Sequence, residues 1–61
     1  MPDEIIKIEE MMKMLDIRKN TAYRLLDSGE VRAFKIGKVW KITRAAVQEY
    51  IEKQIKASQP E

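Results

Sequence analysis

The sequence predicts a mostly helical fold with a small β-hairpin, because its hydrophobic period changes twice along the chain. Before residue 30 and after residue 43, apolar residues recur every three or four positions, as on one face of a helix. Between Val31 and Ile42 they alternate around a Gly-Lys pair, as in two strands joined by a turn. The 61 residues allow one small domain. We place it at residues 1–61, with a core at about residues 5–56 and a frayed tail at 57–61.

Two short helices are predicted in the first half of the chain, each with an apolar stripe at helical spacing. The stripes consist of Ile8, Met11, Met12 and Leu15 in the first helix and Ala22, Leu25 and Leu26 in the second. Asp16 tolerates the left-handed turn that ends the first helix, and Gly29 suits the position after the second. Only residues 16–18 separate the two helices. We expect Ile17 to be the buried residue of this turn. This spacing is typical of a helix-turn-helix.

The register of the hairpin depends on the length of its loop. A two-residue loop at 37–38 would place lysines on both faces of the hairpin. A three-residue loop at 37–39 leaves one face wholly apolar, and a buried apolar face usually sets the register. The predicted cross-strand pairs are therefore Ile36 with Trp40, Phe34 with Ile42 and Lys35 with Lys41. Trp40 then belongs to the core.

A third helix is predicted after the hairpin. Thr43 is a good N-cap residue, because its hydroxyl can accept a hydrogen bond from the first turn. Apolar residues follow at helical spacing, and they allow this helix to lie on the core: Val47, Tyr50, Ile51 and Ile55.

Positive charge is concentrated in the middle of the chain. The net charge is only +2, yet residues 18–44 carry eight Lys and Arg against two Asp and Glu. The segments on either side are net acidic. Such clustering is the pattern expected of a surface that binds a polyanion.

Several classes of function are disfavoured by composition. The chain has no His and no Cys, so the commonest general base, zinc ligand and nucleophile are missing. Ser28 and Ser58 lack a base to activate them. We therefore expect no enzyme activity, cofactor, metal site or small-molecule ligand. Apolar runs are far shorter than a membrane span, and the first residues do not resemble a secretory signal, so we expect a cytoplasmic protein.

Taken in order, these segments resemble the excisionase-type helix-turn-helix family, small winged-helix domains related to the MerR DNA-binding head. The resemblance covers about residues 7–52. Its motifs are Ile8-Glu9-Glu10 to Leu15, Thr21-Ala22-Tyr23-Arg24-Leu25, Ser28-Gly29-Glu30, Phe34-Lys35-Ile36-Gly37-Lys38, Trp40-Lys41-Ile42 and Tyr50-Ile51. The chain departs from the family at three positions. Lys7 stands where Thr or Ser is usual, Asp16 where Gly is usual, and Arg18 where Ser is usual.

The resemblance implies a winged helix-turn-helix that binds double-stranded DNA. The second helix would enter the major groove, and the hairpin, or wing, would reach the backbone or the neighbouring minor groove. The implied recognition-helix residues are Arg18, Lys19, Asn20, Thr21, Tyr23 and Arg24. The implied wing residues are Lys35, Lys38 and Lys41.

Three of the candidate residues also have a role that needs no DNA. Asn20 can cap nearby backbone, Tyr23 can be a packed surface aromatic, and Arg24 can pair with Asp27 at i+3. For the whole chain, two DNA-binding roles stay open. One is an excisionase, or recombination directionality factor, working with an integrase or recombinase or with further copies of itself on adjacent sites. The other is a small, nucleoid-associated transcriptional regulator. The alternative is a protein-interaction module whose basic face binds an acidic partner.

Overall fold

The computed structural model describes residues 4–59. Three helices and three short strands follow one another along this part of the chain. They are β1 (Ile5–Ile6), α1 (Ile8–Leu15), α2 (Lys19–Ser28), β2 (Ala33–Ile36), β3 (Val39–Thr43) and α3 (Arg44–Ser58). The strands form one antiparallel sheet in the order β1-β3-β2. The predicted winged helix-turn-helix is confirmed, and the two-residue strand β1 is an addition that the sequence did not predict.

The turn between α1 and α2 forms as predicted. Asp16 adopts left-handed backbone angles, with φ 55° and ψ 51°. Its N–H donates to the carbonyl of Lys13, and the N–H of Ile17 donates to Met12 at 3.1 Å. These bonds satisfy carbonyls that the end of a helix leaves free. Gly29 ends α2 in the same way, with φ 81°.

The core lies between the helices and one face of the sheet. Its buried apolar residues are Ile6, Met11, Ala22, Leu25, Leu26, Val31, Ile42, Ala46 and Val47. Trp40, Ile17, Tyr50 and Ile51 are partly buried against it, which agrees with the inward direction predicted for them.

The last helix, α3, extends beyond this core. The helical spacing predicted Ile55 on the buried face, yet it is 50% exposed. Fifteen residues make α3 about 22 Å long, nearly twice the length of α1, so its C-terminal turns lie past the other elements. It also runs two residues into the predicted tail, to Ser58. Gln59 follows in an extended conformation, and the last two residues of the predicted tail, 60–61, lie outside the described residues.

The predicted register of the hairpin is wrong. The loop has two residues, Gly37 and Lys38, and the pairs are Ile36 with Val39, Lys35 with Trp40, Phe34 with Lys41 and Ala33 with Ile42. Gly37 has φ 63°, which glycine adopts without the penalty of a Cβ, and tight two-residue hairpin turns need a positive φ at this position. On its other edge β3 pairs with β1, which places Ile6 beside Ile42 on the buried face.

The corrected register turns an apolar group toward solvent. Four apolar side chains lie on the face of the sheet that points away from the core, and we call them the outer apolar face: Ile5, Phe34, Ile36 and Val39. They are 53%, 49%, 61% and 56% exposed. The alternating apolar residues of β2, Phe34 and Ile36, therefore lie on the outer face of the sheet. The sequence pattern predicted them in the core.

Two isoleucines in the sheet test this register. Ile42 is fully buried and Ile36 is 61% exposed. We expect Ile42→Ala to lower the free energy of unfolding by about 2–5 kcal/mol, because it leaves a cavity in the core. Ile36→Ala is the matched control and should change it by about 0.5 kcal/mol or less. Urea denaturation of both variants measures the difference, and similar losses in the two would contradict the two-residue turn.

Candidate nucleic-acid interface

The candidate recognition residues lie on the exposed side of α2. Ala22, Leu25 and Leu26 hold this helix against the core, so the positions between them face away. Thr21 is half-buried. The other five candidates are exposed: Arg18, Lys19, Asn20, Tyr23 and Arg24. Arg18 is the N-cap residue of α2, in an extended conformation and without a capping side-chain hydrogen bond.

Two side chains on this surface have no partner within the described part of the chain. Asn20 makes no side-chain hydrogen bond there, so the capping role considered for it is not seen between residues 4 and 59. Arg24 likewise forms no ion pair with Asp27. Both are free to contact a ligand.

The three wing lysines point in different directions. Lys35 lies on the inner face of the hairpin, where its Nζ is 5.0 Å from the centroid of the Trp40 ring. Lys38 is in the turn, and Lys41 is on the outer face opposite Phe34. The predicted pairing of Lys35 with Lys41 is therefore wrong, because the shorter turn shifts the register and moves the two lysines to opposite faces.

Ion pairs among residues 4–59 use two of the eight cations in residues 18–44. Arg32 Nε lies 3.0 Å from Glu49 Oε1. Arg44 Nε lies 3.0 Å from Glu4 Oε1, and its Nη1 lies 3.6 Å from Glu10 Oε2. The hydrogen bond to Glu4 raises the pKa of the Arg44 guanidinium above its ordinary value. The other six cations form no ion pair within residues 4–59: Arg18, Lys19, Arg24, Lys35, Lys38 and Lys41.

These six are the cations that the sequence assigned to the DNA contact. The other two cations link parts of the fold. Arg32 pairs with Glu49 of α3, and Arg44 ties the start of α3 to Glu10 of α1 and to Glu4, the residue before β1. As far as the described residues show, the unpaired positive charge of the middle segment is thus confined to α2, its N-cap and the hairpin.

A cleft of about 470 Å³ opens between α2 and the wing. Tyr23 lines it from α2, and residues 38–41 line it from the hairpin. Its third wall is formed by β1 and the start of α1, residues 5–9. The cleft brings Tyr23 together with Lys38 and Lys41, three of the predicted site residues.

Lys7 is a cation of this cleft that the sequence analysis did not assign to the site. It lies in the acidic first segment, where a count of charge along the chain hides it. The signal that could have found it is its place at a helix start, where the family usually carries a capping Thr or Ser. A lysine cannot accept that bond, and the N-cap of α1 indeed has no side-chain hydrogen bond.

The contact of Lys35 with Trp40 can be measured as stability. We expect Lys35→Gln to lower the free energy of unfolding by about 0.5–1 kcal/mol, the usual size of an exposed cation–π contact. Lys38→Gln removes the same charge from the turn and should leave stability unchanged. Equal effects of both variants in urea denaturation would show that the ring contact contributes nothing.

Comparisons with known proteins agree with this geometry. A family model described as a helix-turn-helix domain matches residues 5–55. The chain is 31% identical over 51 residues to a protein of Saccharopolyspora erythraea named "Probable excisionase". That match covers 84% of the chain and 52% of the relative, so the chain spans about half the length of this relative. No solved structure matches. The resemblance of the sequence to excisionases is thus confirmed, and the chain belongs to the helix-turn-helix domain family, a family of DNA-binding domains.

Proposed function

We propose that this protein binds double-stranded DNA sequence-specifically and has no catalytic role. Helix α2 enters the major groove, and the hairpin lies on the backbone or in the adjacent minor groove. The observation that carries this proposal is the separation of charge described above. The six cations without an intramolecular partner in residues 4–59 all belong to α2, its N-cap and the hairpin.

The exposed side of α2 has the chemistry needed to read base edges. An α-helix fits the major groove, where each base pair presents its own donors and acceptors. Arg24 can fork onto guanine O6 and N7, and Asn20 can pair with adenine N6 and N7. Both side chains are exposed and have no described partner to give up on binding.

The remaining candidates suit the DNA backbone. Arg18 and Lys19 lie at the start of α2, and Lys38 lies in the exposed turn of the wing. Such cations hold phosphates and fix the register of the protein on the duplex without reading sequence. Thr21 and Tyr23 can donate hydroxyl hydrogen bonds to phosphate oxygens.

We infer two roles for this binding: an excisionase, which helps to direct recombination, or a small transcriptional regulator. The excisionase name of the relative supports the first. Either role acts on the nucleoid in the cytoplasm. Within residues 4–59, no helix is long and apolar enough to cross a membrane.

Protein partners on the DNA form part of this proposal. One module contacts few base pairs, so high specificity calls for further copies on adjacent sites or for a larger complex. An integrase or recombinase fits the excisionase role. The outer apolar face supports a protein contact, since its four side chains are each about half exposed or more. Clustered exposed apolar groups are a feature of interaction surfaces.

Two substitutions test the reading of bases. We expect Arg24→Ala and Asn20→Ala to cost about 1–3 kcal/mol each at the preferred sequence and to relax specificity at one or two base pairs. Alanine is a good helix former, so α2 should persist. The assay is binding to a duplex selected from a random pool and to its single-base variants, with Lys56→Ala as control. Unchanged specificity in both variants would rule out α2 as the recognition helix.

Salt dependence separates DNA binding from a contact with an acidic protein. Each phosphate neutralised contributes about −0.9 to the slope of log affinity against log salt. With six free cations we expect a slope between about −3 and −5 on duplex DNA. A slope near zero, or no binding to duplex, would instead favour the protein-interaction module.

A further inference from the structure

The cleft between α2 and the wing has the charge and lining of a binding site for an anionic chain. Three lysines line it, Lys7, Lys38 and Lys41, against one carboxylate, Glu9. Aromatic and apolar groups lie between them, including Tyr23 and Trp40. A lining that combines positive groups with apolar surface suits a ligand made of charged phosphates and uncharged sugars.

Folding gives Lys7 no function that the described residues show. Its side chain is exposed and makes no capping bond at the start of α1. It forms no ion pair with any residue from 4 to 59. A positive charge at a helix N-terminus is also opposed by the helix dipole. A ligand with negative charge would account for a lysine at this position.

We propose that this cleft holds one sugar–phosphate strand of the duplex, and that Lys7 is an additional phosphate contact. The inference rests on the proposed DNA binding and extends it to a third element, the start of α1. A backbone strand seated here has α2 on one side and the wing on the other. The Tyr23 hydroxyl can donate to its phosphates, while the Trp40 ring meets its sugars.

Lys7→Ser tests the contact without threatening the fold. Serine is a favoured N-cap residue, so the variant should be at least as stable as the natural chain. We expect the slope of log affinity against log salt to become shallower by about 0.9, because one phosphate contact is lost. If the two affinities converge at 1 M salt, this slope corresponds to about eightfold weaker binding at 0.1 M.

Lys56→Ser is the matched control. It removes the same charge from the exposed last turn of α3, which does not line the cleft. Its slope should equal that of the natural chain. The effect of Lys7 would then be local rather than a result of the lower net charge.

Trp40 reports independently on whether the cleft is occupied. It is the only tryptophan of the chain and lines the cleft, so all tryptophan emission comes from this place. We expect saturating duplex DNA to reduce quenching of this emission by acrylamide, a neutral quencher. Lys7→Ser should show the same protection only at higher DNA concentration.

The outcomes separate the two proposals. If the natural chain fails to bind duplex DNA, the proposed function and this inference both fail. If it binds with a steep salt slope but Lys7→Ser keeps that slope, the Lys7 contact is overturned and DNA binding stands. If acrylamide quenches the Trp40 emission equally with and without bound DNA, the cleft does not hold the DNA backbone.

Discussion

The two-residue turn at Gly37 and Lys38 decides how the sheet presents its side chains. Strand residues alternate between faces, so one residue more in the loop would exchange the inner and outer sets of β2. Gly37 reaches its φ of 63° at little cost, and the short turn pairs Ile36 with Val39. This pair fixes the cross-strand pairs in the rest of the hairpin. Lys35 lies against Trp40, and Ala33 lies beside the buried Ile42.

Strand β3 transmits this constraint to the rest of the domain. It is the central strand, and it leads directly into α3 at Thr43, whose Oγ1 accepts a 3.1 Å hydrogen bond from the N–H of Ala46. At the next residue, the Arg44 N–H donates to the Glu4 carbonyl at 2.8 Å while its guanidinium pairs with Glu4 and Glu10. One junction therefore joins α1, β3, α3 and Glu4, the residue that precedes β1. It also explains why Arg44, although part of the basic segment, adds nothing to the free positive surface.

The sequence predicted the helices well because their signals are local and redundant. The apolar stripes of α1 and α2, the left-handed Asp16 and the terminating Gly29 each depend on neighbours within a turn or two. The candidate residues of α2 came from the family resemblance, and the periodicity agrees with their outward position. Their exposure could be deduced once Ala22, Leu25 and Leu26 were placed inward.

The features that sequence missed depend on distant contacts. Phe34 and Ile36 look like core residues by their alternation, and only the turn geometry and the pairing with β1 show that they face outward. Strand β1 has two residues, too few for any periodic signal. Lys7 joins the basic cleft because the start of α1 folds back beside the wing, and charge counted along the chain cannot show this.

The three helix starts show where this domain gives up stability. Thr43 caps α3 with its side chain, whereas Lys7 and Arg18 leave α1 and α2 without a side-chain cap. A good cap contributes about 0.5–2 kcal/mol, which is a large share of what so small a domain has. Both uncapped starts carry a cation that has no described ion-pair partner. The capped start carries Arg44, whose charge is used within the fold. The start of α3, at the junction around Arg44, thus has the stability that a cap provides. The starts of α1 and α2, beside the proposed DNA surface, lack it. This pattern fits the proposed phosphate contacts at the starts of α1 and α2.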